Sequence, residues 1–171
     1  MLRINDKVID RKGHIFYVDS VVKKDLGSGE KDYYLMYPCF KEDFIDNYMS
    51  FVPIENSETL YKKLLTKQEA LNLIDSLTSI EPYSDVPPRN RKAYFESVIA
   101  TTNRYDICRI IKSLYVYRQE KALIKKTLTE YESKLLINLK KLMVEELSLS
   151  LDMNIDEVPP FVENRINYAF F

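Results

Sequence analysis

Two periods of hydrophobicity divide this chain. As far as about residue 55, short β-branched and aromatic runs alternate with turn chemistry. The runs are Lys7 to Ile9, Ile15 to Val22, Tyr33 to Tyr37 and Met49 to Ile54, punctuated by Arg11-Lys12-Gly13 and Leu26-Gly27-Ser28-Gly29. This pattern predicts a meander of four or five short antiparallel strands. So few residues can hardly cover both faces of an open sheet, and closure into a small barrel is the economical solution. The polar, acid-rich loop from Pro38 to Asn47 is expected to project.

Beyond that point the period becomes helical. Thr66-Lys67-Gln68-Glu69 reads as a capping box, followed by an apolar stripe of Ala70, Leu71, Ile74 and Leu77. Pro82, Pro87 and Pro88 end that helix and impose an extended connection. The next helix is expected from about Arg89 to Ala100, with Phe95, Val98 and Ile99 inward. Asn103 can cap a third, running through Ile107, Ile110, Ile111 and Leu114. A second capping box, Thr129-Glu130-Tyr131-Glu132, opens the longest helix. Its apolar stripe is Leu135, Leu136, Leu139, Leu142, Met143 and Leu147, and Lys134, Asn138, Lys141 and Glu145 fall on another. The expected fold is α+β: a small antiparallel β barrel over residues 1–56, then a compact all-helical domain over 57–171 with a C-terminal extension from about 152.

At 171 residues and 46% hydrophobic content, the chain has enough length and apolar material for one ordinary domain or two small ones. No run approaches the roughly 20 apolar residues of a membrane span. The start, Met1-Leu2-Arg3-Ile4-Asn5-Asp6, becomes charged too early for a signal peptide, so a cytoplasmic protein is expected. Cys39 and Cys108 sit among apolar neighbours and read as buried thiols.

Charge is sorted along the chain, whose net value is −1. Between Arg89 and Lys126 lie ten Lys or Arg residues against three acids, whereas from Glu145 onward there are six acids and one base, Arg165. Such sorting focuses a positive field on one part of the molecule and suits a phosphate-rich or acidic partner.

Catalytic chemistry is scarce. His14, the one histidine, falls in an expected hairpin turn with no second imidazole for a His-based metal cluster and no Ser-His-acid arrangement. Gly27-Ser28-Gly29 lacks the Lys-Ser/Thr and the helix of a phosphate loop. Glu42, Asp43 and Asp46 lack a glycine-punctuated calcium pattern and read as a solvated loop. Nothing points to an enzyme, a cofactor or a metal.

The order of these parts resembles a known family. Asn5-Asp6-Lys7-Val8-Ile9, the hairpin, Asp32-Tyr33-Tyr34-Leu35 and Phe51-Val52-Pro53 are similar to the polymerase-interacting module of the CarD/CdnL regulators and of the transcription-repair coupling factor. The helical half carries Arg89-Asn90-Arg91-Lys92-Ala93, Ile110-Ile111-Lys112-Ser113-Leu114, and Leu128-Thr129 with Glu132 leading to Glu145-Glu146-Leu147-Ser148. That succession looks like the CarD helical domain. The resemblance covers roughly residues 1–150.

It implies a non-enzymatic transcription regulator. A Tudor/SH3-like N-terminal module would dock on the β subunit of bacterial RNA polymerase, and the helical domain would touch promoter DNA at the upstream edge of the melting bubble. The family's polymerase-contacting basic residue falls on Lys23 or Lys24, and a second family arginine falls on Phe51. Arg89, Arg91 and Lys92 match the phosphate-contacting cluster. The family's wedge tryptophan has no counterpart, and its place is taken by the Val86-Pro87-Pro88 stretch. Proline can act as an apolar wedge. Its simpler part is to end one helix and pre-set the next. The candidate DNA-binding set is thus Pro87, Pro88, Arg89, Arg91, Lys92, Lys126 and Lys134, with weak, nonspecific backbone contact by a monomer. The alternative is a protein-protein adaptor whose β module binds a partner without useful DNA affinity. A basic face surviving on the folded surface favours the first reading; its dispersal or neutralisation favours the second.

Overall fold

The computed structural model describes residues 1–27, 29–40 and 49–171. It is α+β and divides into two compact units, Met1–Leu64 and Leu65–Phe171.

The first unit is a five-stranded antiparallel sheet. Its strands are β1 (Lys7–Asp10), β2 (Ile15–Asp25), β3 (Glu30–Pro38), β4 (Ser50–Pro53) and β5 (Tyr61–Lys63), in the order β4-β3-β2-β1-β5. A 3-10 turn (Ile54–Asn56) and a single helical turn, α1 (Ser57–Leu60), connect β4 to β5. Alternation along β2 sends Phe16 and Val18 inward, where they pack with Leu2, Val8, Tyr34, Met36 and Val52. A register shift between Val18 and Ser20 marks a bulge that re-phases the rest of the β2–β3 ladder. At the far end of this hairpin Gly27 and Gly29 adopt φ of +98° and +85°, conformations natural to glycine. The Asp25 carboxylate accepts both of their N–H groups, at 2.8 and 3.1 Å.

Every strand expected from the alternation is present, and β5 is an addition to them. Its three residues were too short a run to signal a strand, and it is paired with β1 and tied by Lys63 to Asp6 at 2.7 Å. The first unit therefore extends past the boundary expected at residue 56. β4 and β5 end the sheet, and among the described residues no ladder joins them. The expected projecting loop, with Glu42, Asp43 and Asp46, lies largely outside the described residues.

The second unit is helical: α2 (Lys67–Ser76), α3 (Arg91–Ala100), α4 (Arg104–Leu123), α5 (Glu130–Leu151) and α6 (Val158–Ile166). Both capping boxes form, Thr66 with Glu69 and Thr129 with Glu132, and Asn103 caps α4 through the Tyr105 N–H. The stripes meet in one core around Ile74, Phe95, Ile110, Leu114, Met143 and Leu147. The last residues belong to this core. Phe170 is buried, Tyr168 donates to the Leu77 carbonyl at 2.8 Å, and Arg165 grips Asp75 on α2 through two bonds of 2.5 and 2.9 Å. The acidic end of the chain is thus folded onto the helices instead of trailing from them.

Candidate nucleic-acid and partner interfaces

Two prolines shape the start of α3. Pro87 is extended (φ −56°, ψ 142°), and Pro88 opens a 3-10 turn over Pro88–Asn90 that feeds the helix. With no N–H to leave unsatisfied, proline suits this place. Asn90 makes no side-chain cap, and the first turn of α3 holds no acid, only Arg91 and Lys92. α2 and α5 begin in the opposite way, with capping boxes and acids. The Asn90 and Arg91 N–H groups turn back onto the Pro87 and Pro88 carbonyls, so what the start of α3 offers an anion is its dipole and its exposed cations. Pro87, Pro88, Arg89 and Lys92 are exposed around it, the Lys92 ammonium 5.5 Å from the Tyr131 ring centre.

Arg91 faces inward. Its side chain is 11% exposed; Nη1 is 3.2 Å from Glu132 Oε1, Nε donates to the Val86 carbonyl, and the guanidinium lies 3.5 Å over the Tyr117 ring. The other oxygen of Glu132 takes Lys121 Nζ at 2.7 Å and the Thr129 N–H at 2.9 Å. Burial pushes the Glu132 carboxyl up, and the bonds from Lys121, Thr129 and Arg91 outweigh that and hold it at about 2. Glu132 therefore gathers the start of α3, the end of α4 and the start of α5 around one buried charge.

Much of the remaining basic segment is also engaged internally. Arg104 holds buried Glu146 through bonds of 3.0 to 3.1 Å, and the same carboxylate accepts the Leu65 N–H. Arg109 donates to the Glu81 carbonyl and lies 3.9 Å over Tyr83, Lys112 reaches the Leu77 carbonyl, and Arg118 lies over Tyr115. Of the other sequence candidates, Lys126 is exposed in the α4–α5 turn, and Lys134 is exposed but paired with Glu130 at 2.6 Å. Beside the proline stretch is a shallow cleft of about 350 Å³ walled by Tyr83, Asp85, Val86, Tyr94 and Arg109. Tyr83 and Tyr94 meet edge to face there; Tyr83 is buried and Tyr94 exposed. Burial, then the negative charge of Asp106, raises the Tyr83 phenol to about 12, so it is a neutral donor.

On the sheet unit the three partner-binding candidates separate. Lys24 and Phe51 come together across the strands, with the ammonium 3.6 Å from the ring centre. Lys23, one residue before Lys24 on an alternating strand, points to the opposite face and lies across from Asp32. Phe51 is half-buried on β4, which ends the sheet. His14 sits in the β1–β2 turn and faces Asp10 at 3.0 Å.

Sequence reasoning missed the internal acids. A capping box flags Glu132 as a cap, but nothing local shows that Arg91 and Lys121 converge on it. Glu146 falls in the Glu145-Glu146-Leu147-Ser148 motif, but nothing local shows that Arg104 bonds it. Among the described residues no group of three or more His, Cys, Asp or Glu side chains is placed to hold a metal ion, and no helix is long and apolar enough to cross a membrane. No protein-family model matches the chain, and no curated protein matches it in sequence.

Proposed function

We propose that this chain is a CarD-like transcription regulator acting in the bacterial cytoplasm as a monomer. Its sheet unit, curled as a Tudor-like barrel, docks on the β subunit of RNA polymerase. Its helical unit holds promoter DNA by the phosphate backbone and alters the lifetime of the open complex. The five-stranded meander with a 3-10 turn leading towards β5 supports the docking module, and β4 offers a sheet edge to which a partner strand can add. The observation that carries the DNA contact is the start of α3, with exposed Arg89 and Lys92 at a helix terminus free of acids and of a side-chain cap.

Internal engagement of Arg91, Arg104 and Lys121 favours a second reading, the adaptor without useful DNA affinity. One pair of measurements separates the two. The isolated polymerase β lobe is used to capture the full chain, and open-complex lifetime is then followed with and without the protein. Capture with a changed lifetime supports the regulator. Capture with an unchanged lifetime supports the adaptor, and failure of capture removes the regulator.

A further inference from the structure

Two opposite charges line the cleft beside the proline stretch and lack partners of their own. Arg109 stands on α4 and Asp85 in the 82–88 connection, and they form no ion pair with each other. The Arg109 Nε donates to the Glu81 carbonyl at 2.8 Å, while its two terminal nitrogens have no acceptor among the described residues. The Asp85 carboxylate is exposed and has no hydrogen-bond or ion-pair partner among them.

One wall of the cleft is fixed from behind. Ser113 Oγ accepts the Tyr83 N–H at 2.7 Å, the Tyr117 hydroxyl donates to the Tyr83 carbonyl, and the Tyr83 hydroxyl donates to Asp106 at 3.2 Å. Held in this way, Tyr83 supports the Arg109 guanidinium 3.9 Å from its ring centre and meets Tyr94 at 5.2 Å. A guanidinium stacked on a ring and tied at Nε has little rotamer freedom left to lose. Its remaining edge is pre-set for the two oxygens of a planar carboxylate.

Size and charge together define the occupant. About 350 Å³ lies at the lower end of the roughly 300–1,000 Å³ range of small-ligand clefts. A bare anion, phosphate included, would face the negative charge of Asp85, and a bare cation would face Arg109. A small molecule carrying both charges satisfies both. The exposed Tyr94 ring and Val86 add a surface suited to an aromatic side chain.

We infer that this cleft binds a free α-amino acid with an aromatic side chain, its carboxylate on Arg109 and its ammonium on Asp85. The site stands independently of the DNA contact proposed above, since neither charged group belongs to the α3 start.

The test titrates the full chain with L-phenylalanine and follows backbone amide chemical shifts. Saturable shifts around Ser84, Asp85, Tyr94 and Arg109 are expected, with a dissociation constant on the order of 0.1–1 mM. Phenylpropionate, which lacks the ammonium, and phenethylamine, which lacks the carboxylate, should each bind at least about tenfold more weakly. Asp85→Asn, at an exposed position, should weaken L-phenylalanine about tenfold and leave phenylpropionate undiminished. Arg109→Lys keeps the charge and loses the planar fork; it should weaken both ligands, with folding checked by circular dichroism. Absence of saturable binding by L-phenylalanine, or shifts centred elsewhere, would overturn the proposal. Phenylpropionate binding as tightly as L-phenylalanine, with Asp85→Asn affecting neither, would reduce the cleft to a carboxylate site and overturn the amino-acid assignment.

Discussion

Arg91 and Glu132 stand 41 residues apart in the chain and meet at 3.2 Å, both nearly withdrawn from solvent. One arginine of the expected phosphate-binding cluster is thereby a clamp between α3 and α5. Arg104 and Glu146 repeat the arrangement. Part of the basic segment is thereby neutralised by acids buried on α5, while Arg89, Lys92, Arg118, Lys125 and Lys126 remain exposed. A charge count along the sequence overstates the outward field for this reason.

The Glu132 node predicts acid sensitivity with a defined sign. Its folded carboxyl lies at about 2, below the ordinary value of 4.5. The stability it contributes is present above the unfolded value and is lost as pH falls towards the folded one. Denaturant midpoints should fall between about pH 5 and pH 2. Glu132→Gln should cost roughly 2–3 kcal/mol near neutrality and little at the acid end of that window. A variant whose midpoint runs parallel to that of the unaltered protein across the window would show that another carboxylate is responsible.

A second prediction concerns the extent of the sheet unit. β5 contributes the Lys63–Asp6 pair and Tyr61, whose ring meets Phe16 edge to face at 5.9 Å. A fragment of residues 1–64 should be more stable than one of residues 1–56 by roughly 2–4 kcal/mol, from lost aromatic burial and the unpaired edge of β1. Thermal melts by circular dichroism measure this. Equal melting points would mean that β5 adds nothing to the unit.

The elements were legible because they rest on local chemistry. Gly27 and Gly29 mark the hairpin end, the alternation of Phe16 and Val18 marks a strand, and Thr66 with Glu69 or Thr129 with Glu132 mark helix starts. β5 was not legible, since three residues carry no period and its pairing depends on β1, more than fifty residues earlier. The candidate sites were legible only in part. Lys24 and Phe51 were placed together by a resemblance and do touch. Arg91 was grouped with Arg89 and Lys92 by the same resemblance, yet its side chain turns inward to Glu132. Leu123 at the end of α4 and Ile124 just past it are apolar, yet both are exposed.

The α4–α5 turn, where Lys125 takes φ +55°, gives a third prediction. Lys125→Gly relieves a left-handed non-glycine residue and should raise stability by about 1 kcal/mol, read from the urea midpoint. Because the side chain is exposed, no packing is lost with it. A destabilised glycine variant would mean that the lysine side chain supports the turn in some other way.

The last prediction sorts the bases of the α3 start by what each can do for DNA. A cation that meets a phosphate displaces condensed counterions and steepens the salt dependence of binding, whereas one already neutralised by a buried carboxylate has little to add. Arg89 and Lys92 belong to the first kind and Arg91 to the second. Arg89→Ala with Lys92→Ala should lower the slope of log affinity against log salt by up to about two phosphate contacts. The fold should change by no more than about 0.5 kcal/mol, since both side chains are exposed. Arg91→Ala should do the reverse. It removes one partner of Glu132 and the guanidinium packed on Tyr117, costing about 3 kcal/mol, while the protein that remains folded keeps the original slope. Anisotropy titrations of a labelled duplex over a salt series, paired with urea melts of each variant, read both quantities. A stable Arg91→Ala protein with a reduced slope would place that guanidinium on the phosphate backbone and show that the Glu132 clamp opens when DNA binds.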